Sequence, residues 1–193
     1  MLENIKKYRL ILASNSPRRK ELLSGLDVKY EVRKPPEVKE CYPETLQREE
    51  IPVYLARLKA SACSAWMQDD TLLLTADTIV WFNGKVYGKP KNETDSIATL
   101  KALSGNTHEV ITGVCLTSNK KQTAFHSVSK VKFAELDEPE INYYVKHYTP
   151  RDKAGAYGVQ EWIGYIGVEY LEGSFYNVMG LPASRLYQEL KNF

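Results

Sequence analysis

Several things are scarce in this 193-residue chain, and each scarcity removes a class of function. Cysteine occurs three times, at Cys41, Cys63 and Cys115, widely separated and without a CxxC or Cys/His cluster. A disulfide framework and a structural zinc site are therefore not expected, and reduced thiols are. The three histidines, His108, His126 and His147, have no metal-ligand spacing. No apolar run approaches the roughly 20 residues of a membrane helix. The opening MLENIKKYRLILAS has no secretory h-region, so a soluble cytoplasmic protein with no membrane association is expected. Net charge is only +2, too small to point to nucleic acid through bulk electrostatics. The 13 tyrosines form no ladder suited to stacking single-stranded bases.

What is present reads as an ordinary globular protein, 43% hydrophobic and 26% charged. Apolar patterning and turn chemistry predict strands over 9–13 and 71–76, the latter ending at Asp77. Helices are predicted over 17–26 and 51–67, the second with Ile51, Tyr54, Leu55, Leu58, Ala62 and Trp66 on one stripe. Asn83-Gly84 marks a hairpin between 78–82 and 85–87. A helix over 94–103, paired strands over 108–117 and 123–133, and a helix over 139–147 follow. Strands over 165–170 and 174–178 and a final helix over 182–190 complete the pattern. Interleaved helices and strands with both hairpins and crossovers imply an α/β protein, a mixed sheet with helices on its faces.

Four places could bear chemistry. Ser14-Asn15-Ser16-Pro17-Arg18-Arg19 joins a strand to a helix, with Ser16 placed to cap it and both arginines in its first turn. Helix-start N–H groups, hydroxyls and two guanidiniums suit phosphate oxygens, although exposed cations there cost only about 0.3–1 kcal/mol and equally fit a solvated face. Asp77 follows a buried strand, where a carboxylate binds a hard cation, takes a proton from water, or simply caps a turn. Lys59 borders the apolar stripe of the long helix, and Lys89 sits in the constrained Gly88-Lys89-Pro90; either also fits an ordinary surface lysine. In residues 152–160 small side chains allow close backbone approach, and Gln160 could read a base edge; a tight turn between packed elements explains the same residues.

Together these pieces resemble the Maf family of nucleoside triphosphate pyrophosphatases. The matching segments are LILASNSPRRKELLSGL (10–26), YLARLKA (54–60), TADT (75–78), GKP (88–90), LSGNTHEVITGV (103–114), DKAGAYGVQ (152–160) and VMGLP (178–182). They run in family order through nearly the whole chain. The resemblance implies a single domain with a twisted mixed sheet and two lobes around a cleft, like the ITPase fold, and usually a homodimer. It implies cleavage between the α and β phosphates of a small nucleotide, assisted by Mg²⁺ or Mn²⁺, with no stable nucleic acid partner. Asp77 then matches the proton acceptor, Glu40 an acidic position of the catalytic cleft, and Ser14, Arg18, Arg19, Lys59 and Lys89 the positions around the phosphates. No metal ligand is assigned.

Arg18, Thr78 and Gln160 match the family branch that acts on dTTP and UTP, whereas the 7-methyl-GTP branch has an aromatic residue, Gln and Glu there. The neutral amide of Gln160 suits the alternating donor and acceptor edge of uracil or thymine. Two departures stand out. Lys39 occupies a place where relatives often have an acid, and Glu40 is preferred to Glu37 by its spacing from Lys59. Glu161-Trp162 follows Gln160 where a glycine is usual. The alternatives are a 7-methyl-GTP pyrophosphatase and, from another class, a nucleotide-binding regulator with weakened catalysis; a generic anion-binding module fits the matched acids poorly.

Overall fold

The structure is a computed structural model and describes residues 2–193. Its seven strands are β1 (Arg9–Ala13), β2 (Glu31–Arg33), β3 (Thr71–Phe82), β4 (Lys85–Tyr87), β5 (Thr107–Thr117), β6 (Gln122–Phe133) and β7 (Val168–Glu172). Its helices are α1 (Pro17–Ser24), α2 (Glu50–Ala62), α3 (Glu93–Leu103), α4 (Glu138–Tyr148), α5 (Trp162–Gly167), α6 (Phe175–Met179) and α7 (Ala183–Lys191). The strands form one open sheet in the order β2-β1-β3-β5-β6-β7, with β4 paired to β3. β1 runs parallel to β2 and β3, while the β3/β4 and β6/β7 pairs are antiparallel, so the sheet is mixed. Among the described residues no helix is long and apolar enough to cross a membrane.

The chain divides into two compact units. One comprises Met1–Asp77, Thr112–Ser127 and Gly180–Phe193, the other Thr78–Ile111 and Val128–Met179. In the first, Ile11 of β1, Leu73 of β3 and Cys115 of β5 bury against Ala56, Ala60 and Cys63. The small alanines bring the α2 backbone close to the sheet. Gly113 of β5 continues this packing, since a Cβ there would lie 2.3 Å from the Pro52 carbonyl carbon. Only glycine admits α2 at that distance. In the second unit, His108, Phe133 and Tyr157 meet edge to face, with centroids 4.8–5.4 Å apart.

The structure departs from the sequence reading in four of the predicted elements. β3 does not stop at Asp77 but continues to Phe82, because Thr78, Ile79 and Val80 are β-branched and favour extension. Asp77 is thus a strand-interior carboxylate and not a turn cap. The helix expected over 51–67 closes at Ala62, followed by a 3₁₀ turn at Ser64–Trp66. Residues 174–178, read as a strand from Phe175, Tyr176 and Val178, instead hold α6. The Ser174 hydroxyl accepts the Asn177 N–H at 3.3 Å, a local capping bond that outweighs strand propensity. Just before them, α5 replaces the first part of the strand expected over 165–170, leaving β7 to start at Val168.

Candidate active site

The first unit assembles a charged cluster from segments far apart in the chain. In β3, Leu73, Thr75 and Asp77 share one face by the two-residue period of a strand. All three meet α2: Leu73 packs with Ala56 and Ala60, and the Thr75 hydroxyl donates to the Ala56 carbonyl at 2.7 Å. Asp77 Oδ1 accepts from Lys59 Nζ at 2.5 Å. One helical turn separates Ala56 from Lys59 and Ala60, so the register that buries the alanines also delivers the ammonium to the carboxylate. The same ammonium lies 2.9 Å from Glu40 Oε1. Lys59 and Asp77 are nearly enclosed, with side chains 13% and 10% exposed, whereas Glu40 is 44% exposed. Of the two acids weighed in the 34–49 loop, Glu40 is the one that reaches Lys59.

The turn before α1 folds onto itself. Ser14 Oγ, buried, accepts the Ser16 N–H at 3.1 Å, and Ser16 Oγ accepts the Arg19 N–H at 3.4 Å, capping the helix. Arg19 then donates from Nε to the Gly180 carbonyl at 2.8 Å and from Nη1 to the Ala76 carbonyl at 2.9 Å. These main-chain bonds tether the guanidinium beside the residue that precedes Asp77. Arg18 is half-buried on the same turn.

Electrostatics follow from enclosure. Burial pushes the Asp77 carboxyl above the ordinary carboxylate range; the Lys59 ammonium and the Arg19 guanidinium restrain the rise, and Glu40 adds to it. Burial likewise lowers the Arg19 pKa from its ordinary value, with the Asp77 and Glu40 carboxylates opposing the fall. A carboxyl whose affinity for a proton is raised by burial, with two cations beside it to stabilise the ionised form, is suited to accept a proton.

Three candidates belong to the second unit. Thr78 is half-buried in β3, Lys89 is exposed after β4, and Gly88 accepts the Gly155 N–H at 3.1 Å, tying the lysine's loop to the 152–160 segment. Gln160 is half-buried, and its Oε1 is enclosed without a hydrogen-bond partner. His108 is structural: its Nε2 lies 2.7 Å from the Tyr157 hydroxyl, and burial depresses its pKa to about 4.

The residues that the sequence did not single out are Ala76 and Gly180, whose carbonyls hold Arg19, and Thr75, which locks α2 to β3. Main-chain acceptors leave no trace in residue type. Thr75 stood inside the quoted TADT segment, but its partner lies 19 positions away.

As to metals, no group of three or more His, Cys, Asp or Glu residues among the described residues could hold an ion. Asp77 and Glu40 do present two carboxylates around a single point, the Lys59 ammonium. That donor set suits Mg²⁺, which commonly binds one or two carboxylates and completes its shell with substrate phosphates and water.

The model of the family described as Maf-like protein matches residues 9–193. The chain belongs to the Maf family. It is 60% identical over 191 residues to a protein of Phocaeicola vulgatus named dTTP/UTP pyrophosphatase, covering 99% of both chains. A protein of Parabacteroides distasonis with the same name is 58% identical over 193 residues, covering 100% of both. Among solved structures the fold is similar to that of a HAM1 protein from Coxiella burnetii, with a TM-score of 0.56 and 18% identity over 96% of this chain and 100% of the other. At that identity the likeness is one of fold.

Proposed function

We propose that the chain hydrolyses dTTP and UTP to the nucleoside monophosphate and pyrophosphate. The observation that carries the chemistry is the buried Asp77 bonded to Lys59 at 2.5 Å, with Glu40 on the same ammonium and Arg19 tethered alongside. The substrate follows from the names of relatives at 58–60% identity over almost the whole chain.

In this reading Lys59 turns from Asp77 toward the triphosphate, and the released carboxylate takes a proton from water. The water oxygen forms a bond to the α phosphorus as the bridging oxygen to the β phosphorus departs with pyrophosphate. Ser14, Arg18, Arg19 and Lys59 stabilise the charge that builds on the phosphate oxygens. Lys89 joins them, and Thr78 and Gln160 select the base, on the strength of the motifs in which they stand. Glu40 and Asp77 are the residues that would hold Mg²⁺ or Mn²⁺, whose charge, when bound, draws electron density from the phosphorus. A cytoplasmic homodimer with no stable nucleic acid partner belongs to the same reading.

The deciding experiment incubates the purified chain with UTP, dTTP, CTP, GTP and 7-methyl-GTP, with and without EDTA. Released pyrophosphate is converted to phosphate and read by colour. UTP and dTTP are expected to turn over fastest, and chelator to stop the release. Rapid turnover of 7-methyl-GTP but not UTP or dTTP overturns the substrate assignment. Saturable UTP binding without any pyrophosphate in metal-containing buffer favours a regulator.

A further inference from the structure

Glu161 directly follows Gln160, and its carboxylate is engaged through both oxygens. Oε1 lies 3.1 Å from Lys153 Nζ, and Oε2 accepts the Tyr144 hydroxyl. The Tyr144 oxygen in turn accepts the Gly158 N–H at 2.9 Å. Between those anchors the chain turns sharply, Glu161 N donating to the Gly158 carbonyl at 3.0 Å with Val159 and Gln160 at the corners. One phenolic oxygen of α4 thus binds one end of the turn through an amide and the other through a carboxylate. Gln160 lies between them.

The surroundings make this clamp stiff. Tyr144 is fully buried and Lys153 is 8% exposed, so neither swings away cheaply. A Cβ on Gly158 would sit 2.7 Å from the Glu161 carboxyl carbon, so the glycine is what lets the carboxylate lie across the turn. Glu161 occupies the N-cap position of α5 yet makes no side-chain cap bond, its side chain being turned to Lys153 and Tyr144. Gln160 Oε1, enclosed within this turn without a hydrogen-bond partner, is an acceptor that a donor can satisfy.

We propose that Glu161, Tyr144 and Lys153 are positioning residues for the Gln160 amide, fixing it for the pyrimidine edge. The proposal rests on the pyrimidine-nucleotide reading above. A floppy amide must be ordered on binding, which weakens affinity for the base without altering phosphate chemistry.

The test is a mutant cycle with UTP and GTP kinetics and thermal midpoints. Tyr144→Phe and Glu161→Ala are expected to raise KM for UTP about tenfold, with kcat within about threefold of wild type. The UTP-over-GTP preference in kcat/KM falls by a similar factor. Glu161→Gln keeps an oxygen for the Tyr144 hydroxyl and should recover most of the preference. In a Gln160→Ala background the same substitutions should change KM by less than about twofold, since their route of action is already gone. A loss that appears in kcat, or full additivity with Gln160→Ala, overturns the proposal, as do wild-type values in folded Tyr144→Phe and Glu161→Ala. If wild-type chain binds UTP without cleaving it, the pyrophosphatase reading fails separately, and the same cycle is read in calorimetric Kd, with the same outcomes deciding. Absence of any UTP binding overturns the proposal.

Discussion

Each unit of the molecule encloses one lysine between two carboxylates, and the two arrangements are built for different ends. In the first, Lys59 joins Asp77 at 2.5 Å and Glu40 at 2.9 Å. In the second, Lys153 joins Asp152 at 2.8 Å and Glu161 at 3.1 Å. The charges match; the connections do not. Lys153 and its acids lie within ten consecutive residues, and Glu161 is further bonded by Tyr144, so the cluster stiffens a loop. Lys59, Glu40 and Asp77 come from a helix, a long loop and a strand, and Arg19 beside them is held by main-chain carbonyls rather than by the acids alone. Buried charges bonded to their own loop suit structure, whereas charges gathered from distant segments, one with a raised carboxyl pKa, suit chemistry.

The sharpest way to break this comparison is Asp77→Asn. Loss of the proton acceptor should lower kcat by about 10²–10⁴-fold while the circular dichroism spectrum is retained. The wild-type acid limb should lie above the ordinary carboxylate range, because burial raises the Asp77 pKa and the base works only when ionised. The residual activity of the variant should lose that limb. The stability sign is opposite to that of a usual salt-bridged acid. With a folded pKa above the unfolded one, stability is fully present below the unfolded pKa and declines as pH rises through the folded value. The neutral amide avoids that decline, so loss of turnover should not be accompanied by unfolding at pH 7. Near-wild-type turnover would remove Asp77 from the mechanism.

A second comparison sets Lys59→Met against Lys153→Met. The first should reduce kcat/KM about a hundredfold, as a phosphate-stabilising cation is lost, and shift the acid limb further upward because Asp77 loses its closest cation. Its cost in stability is limited, since the buried Asp77 can take a proton instead of standing charged. Lys153→Met should leave kcat within about threefold of wild type and lower unfolding free energy by about 2–3 kcal/mol, measured in urea. Equal kinetic effects from both lysines would erase the distinction between the two clusters.

How much of this was legible beforehand follows the same division. Local features could be read: the Ser16 cap, the Asn83-Gly84 hairpin, and the helices around Pro17, Pro52 and Pro139, because capping and turn chemistry act over a few residues. Arg19, Asp77 and Lys59 could be picked out as candidates from their places in the elements, but their roles, and Glu40 altogether, could be named only through the ordered family segments. Nothing in composition or period says that residues 40, 59 and 77 share one point. The continuation of β3 through Asp77 was missed because an acid inside an apolar strand reads as its end until the lysine beneath it is known. α6 was missed because Phe175, Tyr176 and Val178 favour strands, and the cap that overrides them is a single hydroxyl. The Glu161 clamp was half visible, as a departure from the usual glycine, but its partner in α4 lies 17 positions away.

The smallest expected effect separates the helix starts. α4 begins with a capping box in which Asp137 Oδ1 accepts the Glu140 N–H at 2.8 Å and Glu140 returns to the Asp137 N–H at 2.9 Å. In α1 the side-chain cap is the 3.4 Å bond from the Arg19 N–H to Ser16 Oγ, with no capping box. On stability alone, Asp137→Ala should cost about 1 kcal/mol and Ser16→Ala less, because the α1 bond is longer and single. Catalysis should rank them the other way. The amide that Ser16 holds belongs to Arg19, whose side chain is tied to the carbonyl preceding Asp77, so a loosened cap reaches the charged cluster through one residue. Ser16→Ala is expected to raise KM for UTP about threefold with little change in thermal midpoint, and Asp137→Ala to lower the midpoint by a few degrees at unchanged KM. If the two substitutions rank alike in both measurements, the α1 cap is no more than an ordinary helix start, and Arg19 is held by Ala76 and Gly180 without it.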